Sequence, residues 1–280
     1  MNHATLLIFK IVAEEQSITR TAKKLGRAQS NITTRIQQLE EELDVELFKR
    51  GNKKMVLSTA GKQFLDYALR ILSLAEEAKQ ALHPTKPAGR LRLGAMEATA
   101  ASRLIHLLPQ FRAICPQVEL TLHTQPTQQL TDRVQRAALD CALVSLPVTA
   151  EGELVCPPDI DAIPVFVEQL MLVSTTGPAD SRLAAFPRGC SYRALGEAFF
   201  ASDARVEIQD VGSYHAMIAC IASGGCSGIL PQSVIDILIL PDNCQIQPFK
   251  QVQTQLIWRR GYMSPALSEM RQLLTSAAPF

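Results

Sequence analysis

Apolar residues recur at helical spacing through about the first eighty positions and at strand spacing after about position 90. Over residues 4–15, Leu6, Phe9 and Ala13 share one face, which predicts a helix. Ser17 is placed to N-cap a second helix with Ile18, Ala22 and Leu25 inward. Gly26 interrupts it, and a third helix runs to about Leu43 on a stripe of Ile32, Ile36, Leu39 and Leu43. Closely crossing helices need a small side chain such as Ala22, and a tight turn needs a glycine such as Gly26. The order small residue, turn glycine, core residue is that of a helix-turn-helix.

Beyond it, "VELFKRGNKKMVL" (45–57) predicts two short strands around a Gly-Asn tip, with Lys49, Arg50, Lys53 and Lys54 as a basic wing. Ser58 then caps a helix of about 25 residues, about 37 Å long. Its Phe64, Ala68, Ile71, Ala75, Ala78 and Leu82 form a heptad seam that needs a partner helix, most simply its own copy. The prolines and glycine of "HPTKPAG" (83–89) predict a hinge. From Leu91 the chain alternates: strand "LRLGA", helix 98–114, strand "VELTLHT", helix 127–138, strand "LDCALVSL". That βαβαβ order predicts a parallel sheet covered by helices. A second set follows, with "PVFVEQLMLVS", a helix near 191–199, "RVEIQD", a helix near 213–223 and "SGILP". Two α/β lobes with a cleft between them are expected.

The overall charge of +1 conceals a division. Residues 1–62 hold 11 Lys/Arg against 7 Asp/Glu, a net of +4, and residues 91–280 hold 13 against 17, a net of −4. A basic module beside an acidic one points to a polyanionic partner for the first. The start of the chain has no signal-peptide pattern and no apolar run reaches membrane-spanning length, so a cytoplasmic protein without a membrane partner is expected. Seven cysteines without compact spacing fit a reducing compartment.

The run "SITRTAKKLGRAQSNITTRIQQLEEELDVELFKR", then "LSTAG", then the heptad helix, resembles the LysR-type transcriptional regulators. So do "LRLGAMEATAA", "LDCALVS", "GSYHAMIACIASGGCSGILPQSV" and "LIWRRG…SPAL" further on, and the resemblance covers essentially the whole chain. It implies a winged helix-turn-helix over 1–58, a dimerising linker helix over 59–82 and a hinge over 83–90. A two-lobed, periplasmic-binding-protein-like α/β domain would follow over 91–280, with lobe I about 91–162 and 256–280 and lobe II about 163–255. The implied partners are a double-stranded DNA operator, a small-molecule effector, further copies of the chain up to a homotetramer, and RNA polymerase. No cofactor is implied. Family members commonly start the third helix with Ser-Gln-Pro, where this chain has Ala28-Gln29-Ser30, and Arg27 replaces a usually apolar residue.

Opposite the core stripe of the third helix lie Ser30, Thr34 and Gln37, flanked by Asn31 and Thr33, with no acid in the first turns. Gln29 and Asn31 suit adenine edges, Arg35 guanine or phosphate, and the threonines phosphates and thymine methyls. The acids of 40–42 sit at the far end, expected to lift away from DNA. The alternative is a plain solvated helix face, and for the wing a solvated hairpin tip rather than a groove contact. In the α/β region, Met96, Glu97 and Thr99 begin one helix and Gly212, Ser213 and Tyr214 another, and helix starts favour anions. The resemblance adds Thr124 and Thr127 as effector positions. Capping alone would equally explain Glu97, Thr99 and Ser213, and Glu97 suits an amine, so an amine or a carboxylate effector stays open. Cys220 and Cys226 read as packed thiols rather than a redox pair, and so does Cys190, with a pKa lowered by neighbouring arginines as the alternative. No enzyme is expected, since no nucleophile elbow, phosphate loop, dinucleotide fingerprint or metal motif occurs. A small-molecule-binding protein or enzyme built on the α/β lobes is the alternative reading.

Overall fold

The computed structural model describes residues 1–51, 54–81, 87–149, 151–175, 182–201 and 207–276. The chain divides into two compact units, one built on Met1–Leu82, the other on His83–Gln135 and Leu139–Phe280.

In the first unit, α1 (His3–Glu15) is N-capped by Asn2, whose side chain accepts from the Thr5 amide at 2.9 Å. Ser17 does the same for α2 (Ile18–Leu25), accepting from the Arg20 amide at 3.3 Å. Gly26 ends α2 at φ +62°, and the Arg27 amide closes the turn on the Ala22 carbonyl at 2.9 Å. A side chain at that φ costs about 1–2 kcal/mol. Helix α3 (Gln29–Leu43) follows, then the antiparallel pair β1 (Phe48–Gly51) and β2 (Lys54–Leu57), then α4 (Thr59–Ala81). Ser58 caps α4 through the Gly61 amide at 2.9 Å. Leu6, Phe9, Val12, Ile32, Ile36, Leu39, Leu47 and Phe48 form the core, and Phe9 stacks between Phe48 and Phe64, at 5.4 and 5.1 Å. Lys53 and Leu82 lie outside the described residues, as does the side chain of Arg50.

The linker seam requires a correction. Ala68 is fully buried and half-buried Phe64 packs on Phe9, so both serve the unit's own core, whereas Ile71 and Ala78 of the predicted seam are exposed. The apolar face left open is offset along α4: Tyr67, Ile71 and Leu74 are exposed, with Ala78 beyond them.

The second unit begins with β3 (Ala88–Ala95), α5 (Glu97–Ser102), α6 (Leu104–Ile114), β4 (Gln117–Thr124), α7 (Thr127–Gln135) and β5 (Cys141–Val144). Then come β6 (Ile160–Thr175), β7 (Arg182–Ala185), α8 (Ser191–Phe200), β8 (Glu207–Asp210), α9 (Tyr214–Ala222) and β9 (Ser227–Pro231). The last elements are α10 (Gln232–Ile235), β10 (Cys244–Arg259) and α11 (Pro265–Ser276). One eight-stranded sheet runs β4-β3-β5-β10-β6-β9-β7-β8. β3 pairs parallel with β4 and β5, and β7 pairs parallel with β8 and β9, as the alternating pattern predicts. Between these sets, β6 and β10 pair antiparallel along nearly their whole 16-residue lengths. The sheet is therefore mixed rather than wholly parallel. The expected helix over 98–114 is two helices, because the chain breaks at Arg103. The Arg103 guanidinium leaves the helix line to pair with Glu168 of β6 at 2.8 Å and lie 5.4 Å from the Phe166 ring centre.

Both faces of the first parallel set are covered. Leu91, Leu93 and Ala95 of β3 pack under α6 and α11 with Phe111, Trp258 and Met270. On the other face α7 comes so close that a Cβ on Gly94 would stand 2.7 Å from Leu130 Cδ2 and 2.8 Å from Leu139 Cδ1. Leu130, Val134, Ala142 and Ile257 there join a core continuous with Leu170, Val173, Met217 and Ile229.

Candidate DNA-reading face and interlobe cavity

Burial of Ile32, Ile36 and Leu39 turns the opposite side of α3 to solvent. Arg27, Gln29, Ser30, Asn31, Thr33, Thr34, Arg35 and Gln37 are all exposed, as is Lys54 on the wing. Three of these side chains are tethered. Gln29 Oε1 accepts from Thr19 Oγ1 at 3.1 Å, tying α3 to α2, and Thr33 Oγ1 donates to the Gln29 carbonyl at 3.0 Å. Arg35 Nη1 reaches Gln38 Oε1 at 3.5 Å. Ala28 at the N-cap supplies no side-chain hydrogen bond and the Asn31 amide turns to the Ala28 carbonyl at 3.1 Å, which leaves the Gln29 and Ser30 amides for an anion. The cations of α2 are less available, since Lys24 and Arg20 pair with Glu15 at 2.8 and 3.4 Å. At the far end, Glu40 has a use that the sequence hid: its Oε1 accepts from the amides of Leu47 and Phe48 at 2.8 and 3.1 Å. It anchors the wing's first strand to α3.

In the second unit, the carboxyl ends of β3, β4, β7 and β8 point into one cavity of about 210 Å³. Ligands of open α/β sheets bind in such crevices outside the strand ends. Met96, Glu97, Thr124, Thr127, Gly212 and Tyr214 line it, so six of the eight predicted effector residues converge. The other two do not line it. Ser213 caps α9, accepting from the Ala216 amide at 3.2 Å, and Thr99 is buried within α5. Gln125, Phe186, Cys190 and Tyr192 complete the walls; no helical or strand periodicity marked them, because they stand in turns and at helix starts. Thr127 Oγ1 and the Ser145 amide both donate to Met96 Sδ, at 3.2 and 3.1 Å, which holds the methionine in place. Tyr214 sits edge-on to Phe186 at 4.9 Å. Burial pushes the phenols of Tyr192 and Tyr214 well above their ordinary range, so both stay neutral. Tyr192 Oη and Thr254 Oγ1 are both buried and neighbour each other. A larger groove of about 980 Å³ adjoins the cavity at Thr127 and Cys190 and runs along Ser145, Val155 and Lys250. A third hollow of about 510 Å³ surrounds Arg103, Glu168 and Ser233.

Residues 84–279 match the LysR substrate binding domain, and residues 3–62 match the bacterial regulatory helix-turn-helix protein, lysR family. The chain belongs to the LysR family of transcriptional regulators. This LysR-type regulator is 35% identical over 281 residues to the HTH-type transcriptional regulator YusT of Bacillus subtilis, covering 95% of this chain and 93% of YusT. It is 34% identical over 247 residues to GltR of the same organism, covering 84% of this chain and 81% of GltR. Among solved structures it is similar in fold to full-length OxyR of Pseudomonas aeruginosa, with a TM-score of 0.74 at 22% identity, covering 99% of this chain and 94% of that one. It is likewise similar to full-length CbnR in complex with its target DNA, with a TM-score of 0.66 at 22% identity, covering 99% of this chain and 100% of that one. The chain is accordingly a DNA-binding transcriptional regulator with an effector-binding domain.

In the LysR-type regulator described here, Cys190 is a packed thiol, as expected. Burial pushes its thiol up, and the nearby Arg193 charge is engaged by Glu197 at 2.7 Å and Asp210 at 2.6 Å. Cys226 is buried in the apolar core and Cys220 packs against it from a half-buried position, both as free thiols. No helix among the described residues is long and apolar enough to cross a membrane.

Proposed function

We propose that this regulator reads an operator with the exposed face of α3 and modulates that binding through a small molecule held in the interlobe cavity. The observation that carries the reading is the acid-free surface of Arg27, Gln29, Ser30, Asn31, Thr33, Thr34, Arg35 and Gln37, aligned by a buried apolar stripe. Amides and hydroxyls there position phosphates, while Gln29, Asn31 and Arg35 have the donor and acceptor sets for base edges. Arg50, Lys53 and Lys54 of the wing supply phosphate or minor-groove contacts. Effector contacts come from Met96, Glu97, Thr124, Thr127, Gly212 and Tyr214, the six predicted residues that line the cavity.

Assembly follows from α4, whose open face of Tyr67, Ile71, Leu74 and Ala78 repeats at heptad spacing and pairs with the same face of a second copy. Two such dimers make a homotetramer, and the DNA-bound assembly acts on RNA polymerase in the cytoplasm. Residues 1–58 are assigned to the winged helix-turn-helix, 59–82 to the linker, 83–90 to the hinge and 91–280 to the effector domain.

The test is fluorescence anisotropy of full-length protein on an operator selected from random duplexes. Specific DNA is expected to bind at least about 1000-fold more tightly than a scrambled duplex at the same salt concentration. Equal affinities would refute sequence-specific reading.

A further inference from the structure

Resting on the reading of the interlobe cavity as the effector site, we propose that its ligand carries a protonated amine, held by Glu97, on a small apolar body. Among the described residues that line the cavity, Glu97 is the only side chain charged at neutral pH. Its carboxylate has no ion-pair or hydrogen-bond partner among the described residues. The nearby cation Arg133 does not line the cavity, and its Nη1 is held by Gln125 Oε1 at 2.9 Å. A carboxylate on the wall of a cavity otherwise free of charged side chains attracts an opposite charge on the ligand.

Size narrows the class further. A cavity of about 210 Å³ equals the liquid volume of about seven waters, so the part of the ligand held there is small. The starts of α5, α7, α8 and α9 border the cavity, through Met96, Thr127, Cys190 and Tyr214 among others, and each helix start carries about half a positive charge. These partial charges oppose an ammonium but favour a carboxylate, whereas Glu97 carries a whole negative charge. A simple amine satisfies Glu97 alone; an α-amino acid satisfies Glu97 and the helix starts together. An amino acid therefore ranks first. The shared feature is the ammonium group.

Matched triplets separate these cases. Full-length protein is titrated by calorimetry, with melting temperature in parallel, against three sets: leucine, 3-methylbutylamine and 4-methylpentanoate; valine, isobutylamine and 3-methylbutanoate; alanine, ethylamine and propanoate. At least one amino acid or amine is expected to bind at millimolar concentration or below, at least tenfold more tightly than the acid of its triplet. Glu97→Gln is expected to weaken that binding tenfold or more while the unliganded melting temperature stays within about two degrees; a purely structural Glu97 would lower the melting temperature and leave affinity unchanged. The amine assignment is overturned if no amino acid or amine binds, if the acids bind equally well, or if Glu97→Gln binds as the wild type does. A second variant, Gly212→Trp, fills the cavity where a Cβ meets nothing within 4 Å. An acid that binds and is blocked by Gly212→Trp keeps the cavity as effector site and removes only the amine. Binding of any probe that survives Gly212→Trp instead removes the cavity reading itself.

Discussion

Gly94 shows how a single position holds the effector domain together. An added methyl would stand 3.0 Å from Ala142 Cβ as well as closer still to Leu130 and Leu139, all in a fully buried layer. Gly94→Ala should therefore destabilise the protein by about 1–3 kcal/mol through overpacking, measurable as a lower urea midpoint at unchanged slope. A neutral result would mean that α7 can retreat from the sheet. His123 gives a pH signature. Burial, and then the charges of Arg133, Arg90 and Arg92, hold its pKa below the ordinary value of about 6.5. The unfolded chain thus binds the proton first, and stability contributed by neutral His123 is present above about pH 6.5 and lost as pH falls toward the lowered folded value. His123→Gln should flatten the fall in urea midpoint between pH 7.5 and 5.5. A slope unchanged by the substitution would assign the acid sensitivity to other groups. Residue roles were the least legible from sequence: Glu97 was singled out by type, whereas the neighbours that isolate its charge come from three other chain segments.

Single elements were read well where one face is apolar and the other polar. Helices α1 to α3, the wing strands and the cap at Ser58 all follow from periodicity and local chemistry. The same method misassigned the face of α4, because its apolar residues serve two partners, and a stripe wide enough for both has no unique phase. Phe64 and Ala68 went to the intramolecular core, leaving Tyr67, Ile71 and Leu74 free. Replacing Ile71 and Leu74 together by Glu should halve the mass measured by light scattering, while Phe64→Ala should instead lower the melting temperature. An unchanged mass for the double variant would contradict pairing through this face. On the wing, Lys54→Ala should reduce the slope of log affinity against log salt by about one, with sequence preference retained.

At the scale of the whole molecule, alternation of strand and helix revealed both parallel sets but not the antiparallel pair that joins them. The cause is visible in β10, "CQIQPFKQVQTQLIWR", where glutamines recur among exposed positions and Pro248 sits at a register shift. Its partner β6 contains Pro164. Such strands lack the continuous apolar run of a buried strand and are defined by pairing with each other. The break at Arg103 was likewise hidden, and the partner of that side chain, Glu168, lies 65 positions away. The cavity nevertheless falls where the parallel sets alone predict it, at their carboxyl ends.

Reading of base sequence falls to α3 in the proposed function. Selection of bound duplexes from a random library, carried out with the wild type and with the double variant Thr34→Ala, Arg35→Ala, tests it most directly. The wild type is predicted to enrich one motif with related half-sites, as a dimer requires, and the double variant to lose that motif while keeping its oligomeric mass. Enrichment of the same motif by both proteins would contradict the placement of the reading face.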